Sequence, residues 1–236
     1  MSIPSFEILF FKNPQNYNLI YQYQIERREK LQQGSANECL YLLEHIPIYT
    51  AGRQFHQEHL LLPLEVYKER GISFTNTDRG GDITYHGPGQ LVGYPILNLA
   101  IRNMTVHQYL RNLEETIIET LHFFGITEHT IKSLTGVWVQ DRKIAAIGIG
   151  VKNSITWHGF SININLDLTP FQWIVPCGIS DKTVTSLQKE INNNYSSTNN
   201  NYLCPTIDEF IQVFLPTFFN QFNIKDFSFS QIDSTP

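Results

Sequence analysis

Gly136-Val-Trp-Val139, Gln140-Asp-Arg142 and Lys143-Ile-Ala-Ala-Ile-Gly-Ile-Gly-Val151 decide the class of this fold. Side chains that alternate with a period of two on both sides of a short polar turn read as a β-hairpin. A further strand is expected over residues 161–166, where Ile162, Ile164 and Leu166 alternate with Ser161, Asn163 and Asn165. That pattern predicts one buried face and one amide-rich face. The apolar run at 38–45, closed by Pro47, and the run at 72–77 read as two shorter strands.

Helical signals surround these strands. Asn13 followed by Pro14 suits a helix start, with an end near Gly34. Thr105 and Gln108 make a capping box. Val106, Leu110, Leu113, Ile117, Leu121 and Phe124 then recur at steps of three and four until Gly125. Thr206 and Glu209 open a last helix, which Pro216 is expected to end. The predicted class is α/β (α+β), with a mixed, largely antiparallel sheet flanked by helices, in a single domain over residues 1–236. Residues 192–201, nine of them Asn, Ser or Thr, read as a mobile Asn-rich loop before the C-terminal helix.

Composition excludes several functions. Charged residues make up 17% and aromatic residues 13%, which suits a large core or an apolar ligand surface. A net charge of −5 speaks against a general nucleic-acid binder. The apolar run Ile8-Leu-Phe-Phe11 lies between Glu7 and Lys12, far short of a membrane span or a secretory signal. Cys39, Cys177 and Cys204 form neither a disulfide framework nor a Cys-x-x-Cys knuckle, so reduced thiols in a cytoplasmic protein are expected.

The densest chemical signal is Arg79-Gly-Gly-Asp-Ile-Thr-Tyr-His-Gly-Pro-Gly-Gln90, whose glycines let the backbone approach a ligand. A tight turn with glycine needed only for backbone angles would look the same. The glycine spacing fits neither the P-loop nor the dinucleotide fingerprint. Cys177 lies between Pro176 and Gly178, unlike Cys39, which sits in an apolar run; a nucleophilic thiol there needs a nearby cation or base. Lys143, His86 and His158 are the candidates, although Lys143 at a strand start also reads as a solvated edge charge and His158 as a structural histidine. His56-x-x-His59 lacks the spacing of a metal helix, and no metal is expected. Ala146, Gly148 and Gly150 share one parity, a smooth face suited either to a thin apolar ligand or to close packing. In a regular strand Lys143 points away from that face, so reaching it requires a bulge or a site at the strand end.

Taken in order, the Gly loop through Tyr94-Pro95, Gly136-Val-Trp-Val139, Lys143-Ile-Ala-Ala-Ile-Gly148, His158-Gly-Phe160, Asn163-x-Asn165 and Pro176-Cys-Gly178 closely resemble the lipoyl(octanoyl) transferase family. Leu42-Leu-Glu-His45 and Tyr49-Thr-Ala-Gly-Arg53 fit its early motif, so the likeness covers about residues 42–187. The resemblance implies a fold similar to the biotin/lipoate protein ligase catalytic domain. It implies transfer of an octanoyl group from octanoyl-acyl carrier protein to a lysine of lipoyl domains, those of 2-oxoacid dehydrogenases and of the glycine cleavage H protein. Cys177 falls on the nucleophile and Lys143 on the lysine that activates it. Arg79, Gly80, Gly81, Asp82, Ile83, Thr84, Tyr85 and His86 fall on substrate-binding positions, as do Ala146, Ile147, Gly148, Gly159, Phe160 and Ser161. Asp82 and Ala51 depart from the family pattern. No cofactor is implied, because a thioester donor is already activated.

Two other classes stay open on the residues: an ATP-dependent lipoate ligase of the same fold, and a noncatalytic acyl or acyl-carrier binding module. Transfer between two lipoyl-domain proteins fits the motifs less well. An acidic carrier would need a local basic rim, for which Arg79, Arg142 and Lys152 are candidates by position.

Overall fold

The computed structural model describes residues 6–127, 129–131, 134–178, 182–195 and 203–233. The chain begins with β1 (Phe6–Phe11), α1 (Tyr17–Gln32), β2 (Cys39–Leu43) and β3 (Ile48–Ala51). A 3-10 turn at Gln57–His59 leads to α2 (Leu64–Glu69), β4 (Ser73–Asn76), β5 (Ile83–His86), β6 (Gln90–Ile96) and α3 (Val106–Phe123). Next come β7 (His129–Ile131), β8 (Leu134–Val139), β9 (Arg142–Lys152) and β10 (Ile155–Asn163). After 3-10 turns at Thr169–Trp173 and Pro176–Gly178 follow β11 (Thr183–Val184), α4 (Leu187–Tyr195), α5 (Ile207–Gln221) and β12 (Phe227–Ile232).

Among the described residues the large sheet runs β12-β1-β2-β6-β10-β9-β8-β7, with β11 paired to β9. Its centre, from β2 to β8, is antiparallel; β1 pairs in parallel with β2 and β12. A small sheet, β4-β3-β5, stands apart. The class expected from the sequence is therefore the class observed, a mixed and largely antiparallel sheet flanked by helices.

One face of the large sheet packs against α3, α4 and α5. The period of α3 explains its place: Tyr109, Leu113, Ile117 and Leu121 all reach that core, and the Thr105–Gln108 box caps the helix. Ile20 of α1 joins the core on the opposite face with Cys39, Tyr41, Val92, Tyr94 and Trp157. A third cluster sits between the small sheet and the 169–174 segment, through Tyr49, Tyr67, Ile83, Tyr85 and Phe171.

Four local expectations need correction. Helix α1 is capped by Asn16, whose side chain accepts the Leu19 N–H, while Asn13 donates to the Asp233 carbonyl. The chain stays extended past Pro14 because Gln15 bridges to His45. The 161–166 strand ends at Asn163, since the Ile164 and Asn165 N–H groups both turn to the Gly89 carbonyl. On its amide face Ser161 and Asn163 are buried too, while Asn165 is exposed: Asn163 donates to the Thr185 carbonyl and accepts from Gln90.

Pro216 lies inside α5 instead of ending it. Proline in a helix interior removes one hydrogen bond and is costly, but Phe210, Phe214 and Phe218 are buried on one face before and after it, and their packing carries the helix across. Finally, Asn192, Asn193 and Asn194 belong to α4, which Glu190 anchors through Arg142 and Thr185. Residues 196–201 of the predicted Asn-rich loop lie outside the described residues.

Candidate active site

A cavity of about 440 Å³ opens between the Gly loop, strands β9 and β10, and the start of α3. Strand alternation sorts the Gly-loop residues around it. Thr84 and His86 face the cavity with Arg79, Gly80, Gly81 and Asp82. Ile83 and Tyr85 point the other way, into the core with Tyr49 and Phe171, so their side chains do not line it. Gly159, Phe160 and Ser161 line it from β10, and Ala146, Ile147 and Gly148 from β9. Val106, Leu110 and Leu134 add apolar surface.

The smooth β9 face turns out to be a packing surface over most of its length. The Gly80 N–H donates to the Ile149 carbonyl, laying the Gly loop directly on the strand. A Cβ at Gly148 would meet the Gly80 oxygen at 2.9 Å, and one at Gly150 would meet the Trp157 ring at 2.3 Å. Only Ala146 and Gly148 of the three reach the cavity. The Arg79 guanidinium is buried as a clamp: it donates to the Thr50 carbonyl at 2.5 Å and to Thr50 Oγ1, and returns to the Gly80 carbonyl at 3.0 Å.

Lys143 reaches the same face as Ala146 because β9 carries a bulge. Val137 pairs with Ala145 but Trp138 pairs with Lys143, so one extra residue is inserted in β9. Ile144 and Ala145 consequently both enter the main core, while Lys143 and Ala146 both line the cavity. The lysine is 8% exposed, and its Nζ stands 4.7 Å from the centre of the Trp138 ring. Its ammonium thus rests on a π face. Next to it a smaller pocket is lined by Lys143, Thr84, Ser161, Lys182 and Pro176, the first residue of the Pro176–Gly178 turn.

That turn belongs to a segment strapped down by residues 59–70. Val175 N–H donates to the His59 carbonyl at 2.9 Å and Leu61 N–H to the Trp173 carbonyl at 3.1 Å. The Tyr67 hydroxyl accepts from Leu62 N–H and donates to the same Trp173 carbonyl at 2.7 Å. Arg70 stacks on the Trp173 ring at 3.9 Å. Gly178 closes the turn with φ +68°, a backbone shape that favours glycine, and its N–H returns to the Val175 carbonyl.

The buried histidines are held neutral. His45 is fully buried, and desolvation lowers its pKa to about 4. Its Nδ1–H donates to the Gln15 carbonyl, leaving Nε2 to accept from the Tyr94 hydroxyl at 2.7 Å. Burial also depresses His86, whose Nδ1 faces Gln90 Oε1 at 2.7 Å, and His158. His158 adopts φ +57° and hydrogen-bonds Asp78 through Nε2 at 2.7 Å; that bond in turn holds the Asp78 carboxyl well below the usual range. His59 turns its Nδ1 to Asp82, 2.6 Å away.

The other two thiols are poor nucleophiles. Burial pushes Cys39 up to about 12 and Cys204 up to about 11. Cys204 is half-buried against the Ile164 carbonyl.

The basic rim suggested by position also needs revising. Arg79 is buried on Thr50, and Arg142 forks onto Glu190 at 2.8 Å through two nitrogens. Arg53, exposed and lining the cavity, was not among the candidates. Trp138, Gln90 and Asn163, which stand in the motifs but carried no assigned role there, line the smaller pocket. Trp138 was within reach, because a two-residue turn at 140–141 places it opposite Lys143.

Residues 16–219 match the lipoyl protein ligase A/B catalytic domain. An octanoyltransferase of Solibacter usitatus is 52% identical over 155 residues, covering 66% of this chain and 70% of that one. One from Koribacter versatilis is 42% identical over 181 residues, covering 75% and 72%. Among solved structures, a lipoate-protein ligase A bound with ATP superposes with a TM-score of 0.74 at 16% identity, covering 97% of this chain and 89% of that one. At that identity the likeness speaks for the fold alone. On these matches the chain belongs to the family of lipoyl protein ligase A/B catalytic domains, and its curated relatives are octanoyltransferases.

Proposed function

We propose that the protein transfers an octanoyl group from octanoyl-acyl carrier protein to a lysine of a lipoyl domain, through a thioester on Cys177. What supports this most is a single juxtaposition. The bulge in β9 turns Lys143 into a cavity whose far wall includes Pro176, next to Cys177.

In this reading an ammonium at Lys143 favours the Cys177 thiolate by opposite charge. The thiolate attacks the donor carbonyl, the carbon–sulfur bond to the carrier breaks, and the carrier's thiol leaves with a proton from Lys143. One thioester replaces another, so this half is nearly balanced. The acceptor lysine then enters as a neutral amine, attacks the acyl-enzyme, and gives up its proton to the now neutral Lys143. Cys177 is released as thiolate, and the new amide makes this half downhill. Ala146, Ile147, Gly148, Gly159, Phe160 and Ser161, with Arg79, Gly80, Gly81, Asp82, Thr84 and His86, form the walls that hold the acyl group; Ile83 and Tyr85 support them from the core. Partners in this scheme are the acyl carrier protein as donor and lipoyl domains, those of 2-oxoacid dehydrogenases and of the glycine cleavage H protein, as acceptors.

The test is intact mass after brief incubation with octanoyl-acyl carrier protein, beside Cys177→Ala. We expect one octanoyl adduct on the wild type, none on the variant, and discharge on adding a lipoyl domain. Transfer that needs ATP and free octanoate, and that survives Cys177→Ala, would instead identify a ligase.

A further inference from the structure

Asp82 lies in the Gly loop just before β5, and the fold supplies it with a partner from outside the loop. Its Oδ2 lies 2.6 Å from His59 Nδ1, and its Oδ1 accepts the Ile83 N–H at 2.6 Å. The carboxylate is only 6% exposed. The same Oδ2 lies against the Pro176–Gly178 turn: a Cβ on Gly178 would sit 2.8 Å from it and 3.2 Å from His59 Cε1. His59 is bound a second time, through its carbonyl, to the Val175 N–H. One residue of the strap thereby holds the Gly loop by its ring and the approach to Cys177 by its backbone.

A bare carboxylate against the turn that carries Cys177 would disfavour a thiolate formed on that turn, because like charges repel. We propose that His59 is a positioning residue of the acyl-transfer site: it covers the Asp82 carboxylate and fixes the Pro176–Gly178 turn against the Gly loop, so that Cys177 ionises there. The proposal rests on the reading of Cys177 as the nucleophile. Other titratable groups surround the pair. The His56 ring is 5.5 Å from that of His59, and Arg53, Arg79, His86 and Lys143 line the same cavity as Asp82. Arg79 is engaged by Thr50 and Lys143 stands over Trp138, whereas His59 touches the carboxylate directly.

The experiment is alkylation of Cys177 by iodoacetamide, followed by peptide mass against pH, in the full-length wild type, His59→Gln, Asp82→Asn and the double variant. Thermal unfolding checks that each is folded. His59→Gln should slow alkylation about tenfold near neutral pH and move its midpoint up by roughly one pH unit. Adding Asp82→Asn to it should return the rate to within about threefold of wild type. A purely structural tie predicts the reverse, with the double variant as slow as His59→Gln or slower, and that result overturns the proposal. So does a His59→Gln variant that reacts like wild type. Should His59→Gln not fold, Asp82→Asn alone decides: its midpoint must stay or fall, and a rise overturns the idea. Alkylation needs no acyl donor. A Cys177 that behaves as expected yet never accepts an octanoyl group would sink the transferase reading and leave the His59–Asp82 pairing standing.

Discussion

Lys143 and the Pro176–Gly178 turn look into neighbouring space from different kinds of support. Lys143 stands on β9, paired to β8 on one side and, farther along, to β10 on the other, with Ile144 and Ala145 locked in the main core. Among the described residues the turn and the segment before it are held by bonds from residues 59–70 and by the Asp82 contact. A side chain fixed by a continuous ladder and a core keeps its place when one neighbour changes. A turn fixed by single bonds does not. The Lys143 side of the site should therefore tolerate changes around it that the Pro176–Gly178 side will not, while substitutions in the ladder itself should cost stability more than rate.

The comparison breaks most plainly at Lys143. Lys143→Met keeps the apolar stem over Trp138 and removes the charge, so octanoyl transfer should fall about 1,000-fold with an unfolding temperature near that of wild type. Loss of transfer under about tenfold would mean that Lys143 is not the proton carrier. Acid should next weaken the sheet side. His45 has a folded pKa of about 4 against 6.5 unfolded, so the unfolded chain binds the extra proton. Stability from this site is complete above pH 6.5 and lost as pH falls toward 4, by about 3 kcal/mol at most. Denaturant titration of wild type and His45→Asn at pH 7 and pH 4.5 reads it: the variant should show the shallower dependence.

Within the ladder, a methyl at Gly159 would come 2.1 Å from the Gly93 oxygen. Gly159→Ala should cost about 1–3 kcal/mol, seen as a lower urea midpoint. On the other side, Tyr67→Phe removes the bond to Trp173 and should cost about 1 kcal/mol. Its transfer rate should drop severalfold more than that small change in folding predicts. A Tyr67→Phe enzyme as fast as wild type would show that the strap does not govern the turn. The smallest and most diagnostic change is Gly148→Ala. If the β9 face were only a ligand wall, shorter acyl donors would be favoured; contact with Gly80 at 2.9 Å instead predicts slower transfer with every donor.

How far the site could be read from the chain depended on whether its parts are local. The hairpin at 134–152, the α3 capping box and the Gly loop were legible because each is set by residues a few positions apart. Parity alone left either a bulge at Lys143 or a site at the strand end, and β9 carries the bulge. What escaped was tertiary. Ile83 and Tyr85 sit in the same motif as Thr84 and His86, yet period two sends them to the core. Arg79 reads as a rim cation until Thr50 is found beneath it. Nothing near Asp82 in sequence announces His59, which arrives from 23 residues upstream. The helix through Pro216 survives on phenylalanine packing that no local rule contains.

The position of β12 has a consequence for how the molecule is made. Phe227–Ile232 lies in parallel register on Phe6–Phe11, so the earliest described strand is completed by the latest. During synthesis β1 can find β2 early, but its outer edge, with the apolar side chains Phe6, Ile8 and Phe10, has to wait for more than two hundred residues. A growing chain would expose an unpaired strand edge throughout that interval. Chaperone demand, and any tendency to aggregate, should then concentrate in chains stalled before β12 rather than in the finished protein.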